Sequence, residues 1–409
     1  MDVHSTIGFI SIIAISLLIF LHTYLRNQKL AFIFLLGLIF RFLFAVIIEF
    51  YHLFPTLSDE HTFYNMGIYI NQYFIGLKPV LPFDMITGVS AYGGVLGSLF
   101  FVAGQHPIIA RLFNVLIGSI LILIVFNFSK RLKFSDGYAL LIASMIAFMP
   151  TYIFYSAIIY RDILMCLLTF SLLTYWVKFL LDDRLRYLVM GFTIAIISIP
   201  FRKQFAPILT LCFLILLITY CKNILFHLKG IRIRGITTIL ILVGSLILGI
   251  GVMSLIQYEI STWGNKALIE YFYDQSNYRG TGGSAYLTHI QYNSFLDIIK
   301  YLPIRFLYFT FGPFLWSANT NFIVFSSLES LIGWFSFILI IINVKKLFIL
   351  QDRYGIAILY IFTFAIISLM AMSIVDSNFG TATRHRLIYM PIIYIVSIWT
   401  LPGHNRVTA

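Results

Sequence analysis

Two adjacent carboxylates, Asp59 and Glu60, directly follow a long apolar run in a chain that has few acidic residues. Only 16 of the 409 residues are Asp or Glu, and charged residues make up 11% of the sequence. A carboxylate can act as a general base or bind a hard divalent cation. We therefore expect Asp59 and Glu60 to be catalytic, with Asp59 also a candidate ligand for Mg²⁺ or Mn²⁺. The same residues suit the start of a helix, because carboxylates favour the positive end of the helix dipole. The two roles are compatible.

The composition is that of a membrane protein. The mean hydropathy is +0.94, and 60% of the residues are hydrophobic, against the 45–50% or so that is usual in soluble domains. Although the net charge is +12, its Lys and Arg residues form short clusters beside apolar runs, which is typical of loops that face anionic lipid. We therefore expect membrane lipid as a partner and no nucleic acid. The three cysteines lack the paired spacing of a zinc or disulfide framework.

The apolar runs and basic clusters predict an all-α polytopic membrane bundle that forms a single domain over 1–409. With Lys and Arg as cytoplasmic markers, about eleven transmembrane helices satisfy the charge rule, with the N-terminus outside and the C-terminus inside. Segments near 89–103 and 300–317 are predicted to be re-entrant or interfacial, and 51–106 and 257–321 to be the two large loops of the outer face. The predicted spans are 7–24, 30–50, 107–128, 137–155, 163–181, a short pair on either side of Arg202 and Lys203, 235–255, 322–343, 355–371 and 387–401.

This topology places several basic residues on the outer face, where the charge rule disfavours them. Such charges at a membrane edge are expensive and often mark functional cavities, and arginine binds phosphate oxygens through paired N–H groups. Their alternative roles are snorkelling to lipid headgroups and interfacial ion pairing. The candidate phosphate-binding residues are Arg161, Arg202, Lys203, Arg384, His385 and Arg386, and the candidate supporting residues are Asp162, Arg111, Arg305, His289 and Glu329.

In the order of its motifs the chain resembles the GT-C superfamily of polytopic glycosyltransferases, over roughly 30 to 220 and 300 to 400. The motifs are Ser58-Asp59-Glu60 with Tyr64-Asn65-Met66-Gly67, Ala110 to Gly118, Met149-Pro150, Tyr155-Ser156-Ala157, Arg161-Asp162, Pro200-Phe201-Arg202 and Gly380 to Arg386 with Pro391. The resemblance implies transfer of a sugar or oligosaccharide from a polyprenyl-(di)phosphate carrier to a glycan or lipid-linked acceptor of the bacterial envelope. It also implies a site on the outer face of the inner membrane, with Asp59 as the base or metal-associated carboxylate and the arginines on the carrier phosphate. Unlike larger members, the chain has no sizeable soluble C-terminal domain.

Two other functions fit parts of the pattern. A Wzy-type O-antigen or capsule polymerase also uses lipid-linked glycans and loop arginines, but it usually has two large outer loops that carry the key residues, whereas here only 257–300 is a large polar segment. A glycan flippase or other transporter would favour charges in the middle of several spans or paired broken helices. The candidate charges of this chain instead gather at one face, and the sequence shows no internal repeat.

Overall fold

The computed structural model describes residues 1–51, 58–78, 88–226, 268–317, 321–349 and 352–401. Within these ranges the regular secondary structure is helical, apart from an isolated bridge between Ala285 and Asn378. This confirms the all-α prediction. The predicted span over 235–255 and parts of both predicted outer loops lie outside the described residues.

Seventeen helices are described, together with 3-10 turns at Ile199–Phe201 and Leu315–Ser317. The helices are α1 Val3–Arg26, α2 Gln28–Tyr51, α3 Ser58–Phe74, α4 Val89–Ala103, α5 Pro107–Arg131, α6 Asp136–Phe148, α7 Pro150–Ala157, α8 Asp162–Asp182, α9 Leu185–Ser198, α10 Phe205–Phe226, α11 Leu268–Arg279, α12 Phe295–Phe311, α13 Asn321–Ile342, α14 Val344–Ile349, α15 Arg353–Val375, α16 Phe379–Arg386 and α17 Met390–Thr400.

Six of these helices are long and apolar enough to cross a membrane, and they indicate an integral membrane protein. The six are α1, α2, α5, α8, α13 and α15, and the bent pair α6 and α7 makes a seventh if it forms one span. Four predicted crossings coincide with α9, α10, α17 and the undescribed segment 235–255. The described apolar parts of α9, α10 and α17 are each shorter than 18 residues. The figure of about eleven spans therefore stays a prediction.

The contacts divide the chain into two compact units. Unit 1 contains Met1–Leu172 and Thr193–Lys203, and unit 2 contains Leu173–Phe192 and Gln204–Ala409. Both units contain helices from the set that is apolar enough to span a membrane. The single domain over 1–409 stays a prediction.

In unit 1 the predicted interfacial segment 89–103 is the short helix α4, which packs along α3. Its 15 residues extend only about 22 Å at 1.5 Å per residue, less than the hydrocarbon thickness of about 30 Å. Two glycines allow the close approach of the helices, since a Cβ at Gly93 would lie 2.3 Å from Met66 and one at Gly97 would lie 2.6 Å from Ile70. Helices α3 and α4, which follow α2 and precede α5 in the chain, are thus tightly packed against each other.

The predicted span 137–155 is broken at Pro150, where α6 and α7 meet at 53°. Proline has no N–H, so the carbonyls in the last turn of α6 lose helical partners. The fully buried Arg41 of α2 replaces those partners, donating to the carbonyl of Ile146 at 2.6 Å and to that of Ala147 at 2.8 Å. A buried guanidinium therefore holds the bend.

In unit 2, α12 begins with a capping box formed by Ser294 and Asp297 and ends at Gly312. The carbonyls of Thr310 and Gly312 accept hydrogen bonds from Nη1 of the buried Arg386 on α16. The predicted interfacial segment 300–317 thus consists of most of a 17-residue helix and the 3-10 turn that follows it. A buried arginine again binds carbonyls near a helix end.

We expect Arg41→Met to lower the free energy of unfolding by at least about 2 kcal/mol, because two buried carbonyls would lose charged donors. Thermal unfolding in detergent measures the effect. The matched control is Arg26→Gln at the exposed end of α1, which should unfold like the native protein. An Arg41→Met protein as stable as the native one would contradict this account of the bend.

Candidate functional site

Asp59 and Glu60 lie in the first turn of α3, and their environments differ. Asp59 is exposed. The Glu60 side chain is only 12% exposed, and its Oε1 accepts a hydrogen bond from the backbone N–H of Ile159 at 2.8 Å. Both acids complement the positive end of the helix dipole, as the capping alternative expected. Of the two predicted catalytic carboxylates, Asp59 is the one that a substrate can approach.

Glu60 is held by Arg111 of α5, which lies between two carboxylates. Nη1 of Arg111 is 2.6 Å from Oε1 of Glu60, and its Nε donates to Oε2 of Glu49 at 2.9 Å. The three side chains are at least 86% buried, and their formal charges sum to minus one. This triad joins α2, α3 and α5 and fixes the helix turn that carries Asp59.

Arg111 and its helix also hold the turn that connects α7 to α8. Arg111 donates to the carbonyl of Ala157 at 3.2 Å. One turn further along α5, the amide of Asn114 donates to the carbonyls of Ile158 and Tyr160 at 2.7 and 2.9 Å. The hydroxyl of Tyr92 donates to Oδ1 of Asn114 at 2.8 Å and orients that amide. Side-chain donors therefore satisfy three backbone carbonyls of this turn, and Arg161 follows directly after it.

Arg161 packs against α3, the helix that carries the acidic pair. Its guanidinium carbon lies 5.5 Å from the centre of the Phe63 ring, within the range of a cation–π contact. Phe63 is four residues after Asp59, and residues at this spacing share one face of a helix. The arginine is therefore held beside the face of α3 that begins with Asp59.

Asp162, the next residue, forms a buried ion pair with Arg202. Both side chains are at most 2% exposed, and Lys203 beside them is half-buried. The 3-10 turn that precedes Arg202 is joined to the start of α4, because the N–H of Gly88 donates a hydrogen bond to the carbonyl of Pro200 at 2.7 Å. Because Asp162 neutralises Arg202, any phosphate contact by this arginine would compete with the ion pair.

Unit 1 thus contains seven of the predicted site residues, which are Asp59, Glu60, Arg111, Arg161, Asp162, Arg202 and Lys203. The basic triplet Arg384, His385 and Arg386 lies in unit 2, on α16. Phosphate binding by these three residues stays a prediction.

The three residues of the triplet have different surroundings. Arg386 is buried and donates to the end of α12 and to Oγ of Ser330 at 2.9 Å, so a phosphate would compete with these acceptors. Nδ1 of His385 lies 2.5 Å from Oδ2 of Asp376, and Arg384 is half-buried. The three residues are adjacent in the sequence but have different surroundings in the structure.

Asp376 follows α15 and is fully buried between an arginine and a histidine. Nη1 of Arg279 donates to its Oδ1 at 2.6 Å, opposite His385 on Oδ2. Burial alone would raise the pKa of Asp376, but the charges and hydrogen bonds of His385 and Arg279 outweigh it and lower the pKa from 3.8 to about 2. This carboxylate stays ionised at physiological pH.

The remaining predicted supporting residues also lie in unit 2. Arg305 is 1% exposed and donates to the hydroxyls of Ser377 at 2.9 Å and Ser276 at 2.8 Å. Glu329 is buried on α13, and His289 is exposed in the segment between α11 and α12. Arg305 is therefore a buried residue that binds Ser377, the residue directly after Asp376.

The donor chemistry of the acidic pair offers little to a divalent cation. Glu60 already accepts from Arg111 and from a backbone N–H, which leaves Asp59 as the accessible carboxylate of the pair. In the part of the chain that the structure describes, no three His, Cys, Asp or Glu side chains are grouped so that they could hold a metal ion. Binding of Mg²⁺ or Mn²⁺ by Asp59, which would need further ligands from water or a phosphate, stays a prediction.

Four residues that organise these clusters are absent from the sequence-based set: Glu49, Asn114, Arg279 and Asp376. Glu49 has a detectable signal, because a carboxylate within an apolar run is expensive and needs a partner. Asn114 and Arg279 carry no such signal, since their roles depend on contacts between distant segments.

Comparisons with protein-family models and with curated proteins find no match for this chain.

We expect Arg111→Gln to destabilise unit 1 more than Arg111→Lys does, because the glutamine leaves Glu49 and Glu60 facing each other without a cation. Removing one partner from a buried charge cluster typically costs about 3–5 kcal/mol. Thermal unfolding of both variants in detergent tests the expectation. Equal stability of the two variants would mean that the charge of Arg111 is unimportant.

The lowered pKa of Asp376 predicts that the folded protein loses stability in acid. Its pKa is about 2 in the folded protein against an ordinary value of 3.8, so the folded state favours the ionised form. That contribution, about 2 kcal/mol, is present above pH ~4 and is lost as the pH falls towards 2. Unfolding measured from pH 5 to pH 2 should show this loss in the native protein and less of it in Asp376→Asn, and equal slopes would contradict it.

Proposed function

We propose that the protein is a membrane glycosyltransferase that moves a sugar or oligosaccharide from a polyprenyl-(di)phosphate carrier to an envelope glycan or lipid-linked acceptor. We further propose that it lies in a bacterial cytoplasmic membrane with its active site on the outer face, its N-terminus outside and its C-terminus inside. The observation that carries the proposal is the exposed Asp59 on a turn fixed by the Glu49–Arg111–Glu60 triad, with Arg161 beside the same helix.

Asp59 has the chemistry of a general base for this reaction. In the proposed step its carboxylate accepts the proton of an acceptor hydroxyl, and the oxygen forms a bond to the anomeric carbon of the donor sugar. The bond from that carbon to the phosphate oxygen breaks, and its electron pair leaves with the phosphate. No step passes through a metal ion.

Arg161 is the residue best suited to receive the departing phosphate. Its position depends on the rigid turn 157–161, whose carbonyls are bound by Arg111 and Asn114. A charge held in place before the reaction stabilises developing negative charge without reorganising in the transition state. Arg202, by contrast, is neutralised by Asp162, and we assign that pair to holding the start of α8 in place.

The first test is Asp59→Asn, which keeps the size of the side chain and removes the base. We expect glycan transfer to fall by roughly 10²–10⁴-fold, the usual contribution of a general base. The matched control is His61→Gln, an exposed neighbour on the same helix turn, which should keep native transfer. A folded Asp59→Asn protein with native transfer would overturn the assignment of the base.

The reaction class is tested by the lipid-linked glycans of a deletion strain complemented with native or Asp59→Asn protein. A product that lacks one sugar, restored only by the native protein, would support monosaccharide transfer. Single repeat units on the carrier with short attached chains would identify a polymerase instead. Glycan trapped on the inner side of the membrane would identify a flippase and refute the proposal.

The second test is Arg161→Gln with Arg161→Lys as the conservative variant. We expect Arg161→Gln to lower kcat by roughly 10²–10³-fold, the usual cost of removing one transition-state donor. Lysine retains the charge without the paired N–H groups and should recover part of that loss. Native kcat in Arg161→Gln would exclude this arginine from the step.

A further inference from the structure

A short segment of unit 2, at the turn from α8 to α9, combines two cations with two tyrosine rings. Nζ of Lys178 lies 5.1 Å from the centre of the Tyr175 ring and 5.6 Å from that of the Tyr187 ring. The guanidinium carbon of Arg186 lies 4.9 Å from the centre of the Tyr187 ring, and Nη2 of this arginine donates to the tyrosine hydroxyl at 3.1 Å. All three ring distances are within the range of cation–π contacts. We call these four side chains the cation–tyrosine layer.

The cation–tyrosine layer lies at one end of α8, a helix that is long and apolar enough to cross a membrane. The 21 residues of α8 extend about 31 Å at 1.5 Å per residue, close to the hydrocarbon thickness of about 30 Å. Lys178 precedes Asp182, the last residue of α8, by about 6 Å along the helix axis. Its half-buried side chain is therefore at the boundary between the hydrocarbon and the lipid headgroups.

Packing within unit 2 fixes this segment before any ligand binds. A Cβ at Gly191 would lie 2.4 Å from Cδ1 of Trp176, so α9 packs closely on α8, and the centres of the two tyrosine rings lie 6.4 Å apart. At the end of α8, Nη1 of Arg353 donates to the carbonyl of Leu181 at 2.9 Å. Side chains that are already positioned lose less conformational entropy when they bind a ligand.

Positive charge exceeds negative charge where 178–187 meets the start of α15, even when every acid of these segments is counted. The cations are Lys178, Arg184, Arg186 and Arg353, and the acids are Asp182, Asp183 and Asp352. Asp183 lies 3.4 Å from Arg353, and Asp352 accepts from the N–H of Gly355 at 2.8 Å. The ion pairs described for these segments do not include Lys178 or Arg186.

The ring faces hold the two cations of the layer without neutralising them. A cation–π contact is an attraction to the ring quadrupole, and it supplies neither an opposite charge nor an oxygen acceptor. A charge at the membrane boundary is costly unless it reaches water or an anion. The phosphate of a lipid headgroup is an anion that is present at this depth.

Other basic residues at described helix ends are engaged differently. Lys130 of unit 1 pairs with Asp136 at 2.7 Å. In unit 2, Nζ of Lys346 donates to the carbonyls of Trp399 and Leu401 at 3.0 and 2.8 Å. These lysines bind protein oxygens, whereas the lysine of the cation–tyrosine layer lies between two rings and keeps its N–H donors for a ligand.

The occupied ring faces also favour one class of lipid. Aromatic faces are the usual binding groups for a quaternary ammonium such as choline, but here they already hold Lys178 and Arg186. A further cation would also be repelled by the positive charge of these two side chains. The layer therefore suits a headgroup that carries a phosphate charge and no ammonium group.

We propose that Lys178 and Arg186, positioned by the two tyrosine rings, bind the headgroup phosphate of an anionic phospholipid. The acyl chains of this lipid lie along the first turns of α9, where Val189 and Met190 are exposed. The site lies within unit 2 and does not depend on the proposed glycosyl transfer.

The test counts the lipids bound to the full-length protein in an uncharged detergent by native mass spectrometry. The probes are dimyristoylphosphatidylglycerol, dimyristoylphosphatidylcholine and glycerol phosphate, which represent an anionic lipid, a zwitterionic lipid and a free phosphate ester. We expect the native protein to bind phosphatidylglycerol more tightly than it binds the other two probes. Equal affinity for the two lipids would overturn the proposal. Glycerol phosphate bound as tightly as phosphatidylglycerol would refute a lipid ligand.

The double variant Lys178→Gln Arg186→Gln locates the site. We expect it to bind phosphatidylglycerol roughly tenfold or more weakly, the cost of losing hydrogen bonds to a charged group. The matched control, Arg26→Gln Lys345→Gln, removes the same charge from exposed positions and should bind as the native protein does. Equal weakening in both double variants would mean general charge attraction and refute a defined site. Native binding in the first double variant would refute these two residues as ligands.

The role of the rings is tested at Tyr187. Tyr187→Phe keeps the ring and should retain most of the binding, whereas Tyr187→Leu removes a contact of both cations and should weaken binding towards the level of the double variant. Equal binding by the phenylalanine and leucine variants would refute the positioning role of the ring. Thermal unfolding without lipid checks the fold of each variant. If Tyr187→Leu does not fold, Tyr175→Leu removes the other ring over Lys178 and must itself weaken binding.

Discussion

The ion triad of Glu49, Arg111 and Glu60 is the interaction on which the candidate site in unit 1 depends. It ties the end of α2 to the first turn of α3 through α5, with distances of 2.9 and 2.6 Å. Charges this deeply buried are costly unless each has a partner, so the triad opposes separation of the three helix segments. The exposed Asp59 precedes Glu60 in the same helix turn, so the triad also fixes the position of the backbone that carries Asp59. The carboxylate of Asp59 is thus exposed on a helix turn that the buried triad holds in place.

Both units hold helix breaks with the same device, a buried side chain that donates to orphan carbonyls. Arg41 does so at the bend after α6, Asn114 in the turn before α8, and Arg386 at the end of α12. Water would satisfy such carbonyls in a soluble protein, but at membrane depth the protein must supply the donors itself. This explains why strongly basic residues occur within apolar surroundings in this chain without each being a ligand site.

Periodicity and composition predicted the helices but not the partners of their charges. The long apolar runs predicted α2, α5, α8 and α15 closely, and Ser58-Asp59-Glu60 marked the start of α3, because these signals are local. Pairings such as Glu49 with Arg111 or Arg279 with Asp376 join residues 62 and 97 positions apart, and no local pattern encodes them. Arg384 to Arg386 looked like one phosphate-binding cluster, yet successive residues of a helix point in different directions. Arg386 consequently turns inward to α12 while His385 meets Asp376.

The arginines are balanced in two ways, and this affects how each site tolerates change. Arg41 of unit 1, like Arg386 of unit 2, donates to neutral oxygens, whereas Arg279 of unit 2 pairs with Asp376. In unit 1, carboxylates from α2, α3 and α8 pair with Arg111 and Arg202, so removing an arginine strands negative charge. In unit 2, Arg305 is bound by hydroxyls and an aromatic ring, and Arg386 donates to carbonyls and serines, so removing either leaves neutral groups with unsatisfied hydrogen bonds. Neutral acceptors leave the arginine charge in place, whereas carboxylates cancel it. Unit 1 therefore presents the exposed Asp59 beside a cluster whose charges are mostly balanced by carboxylates.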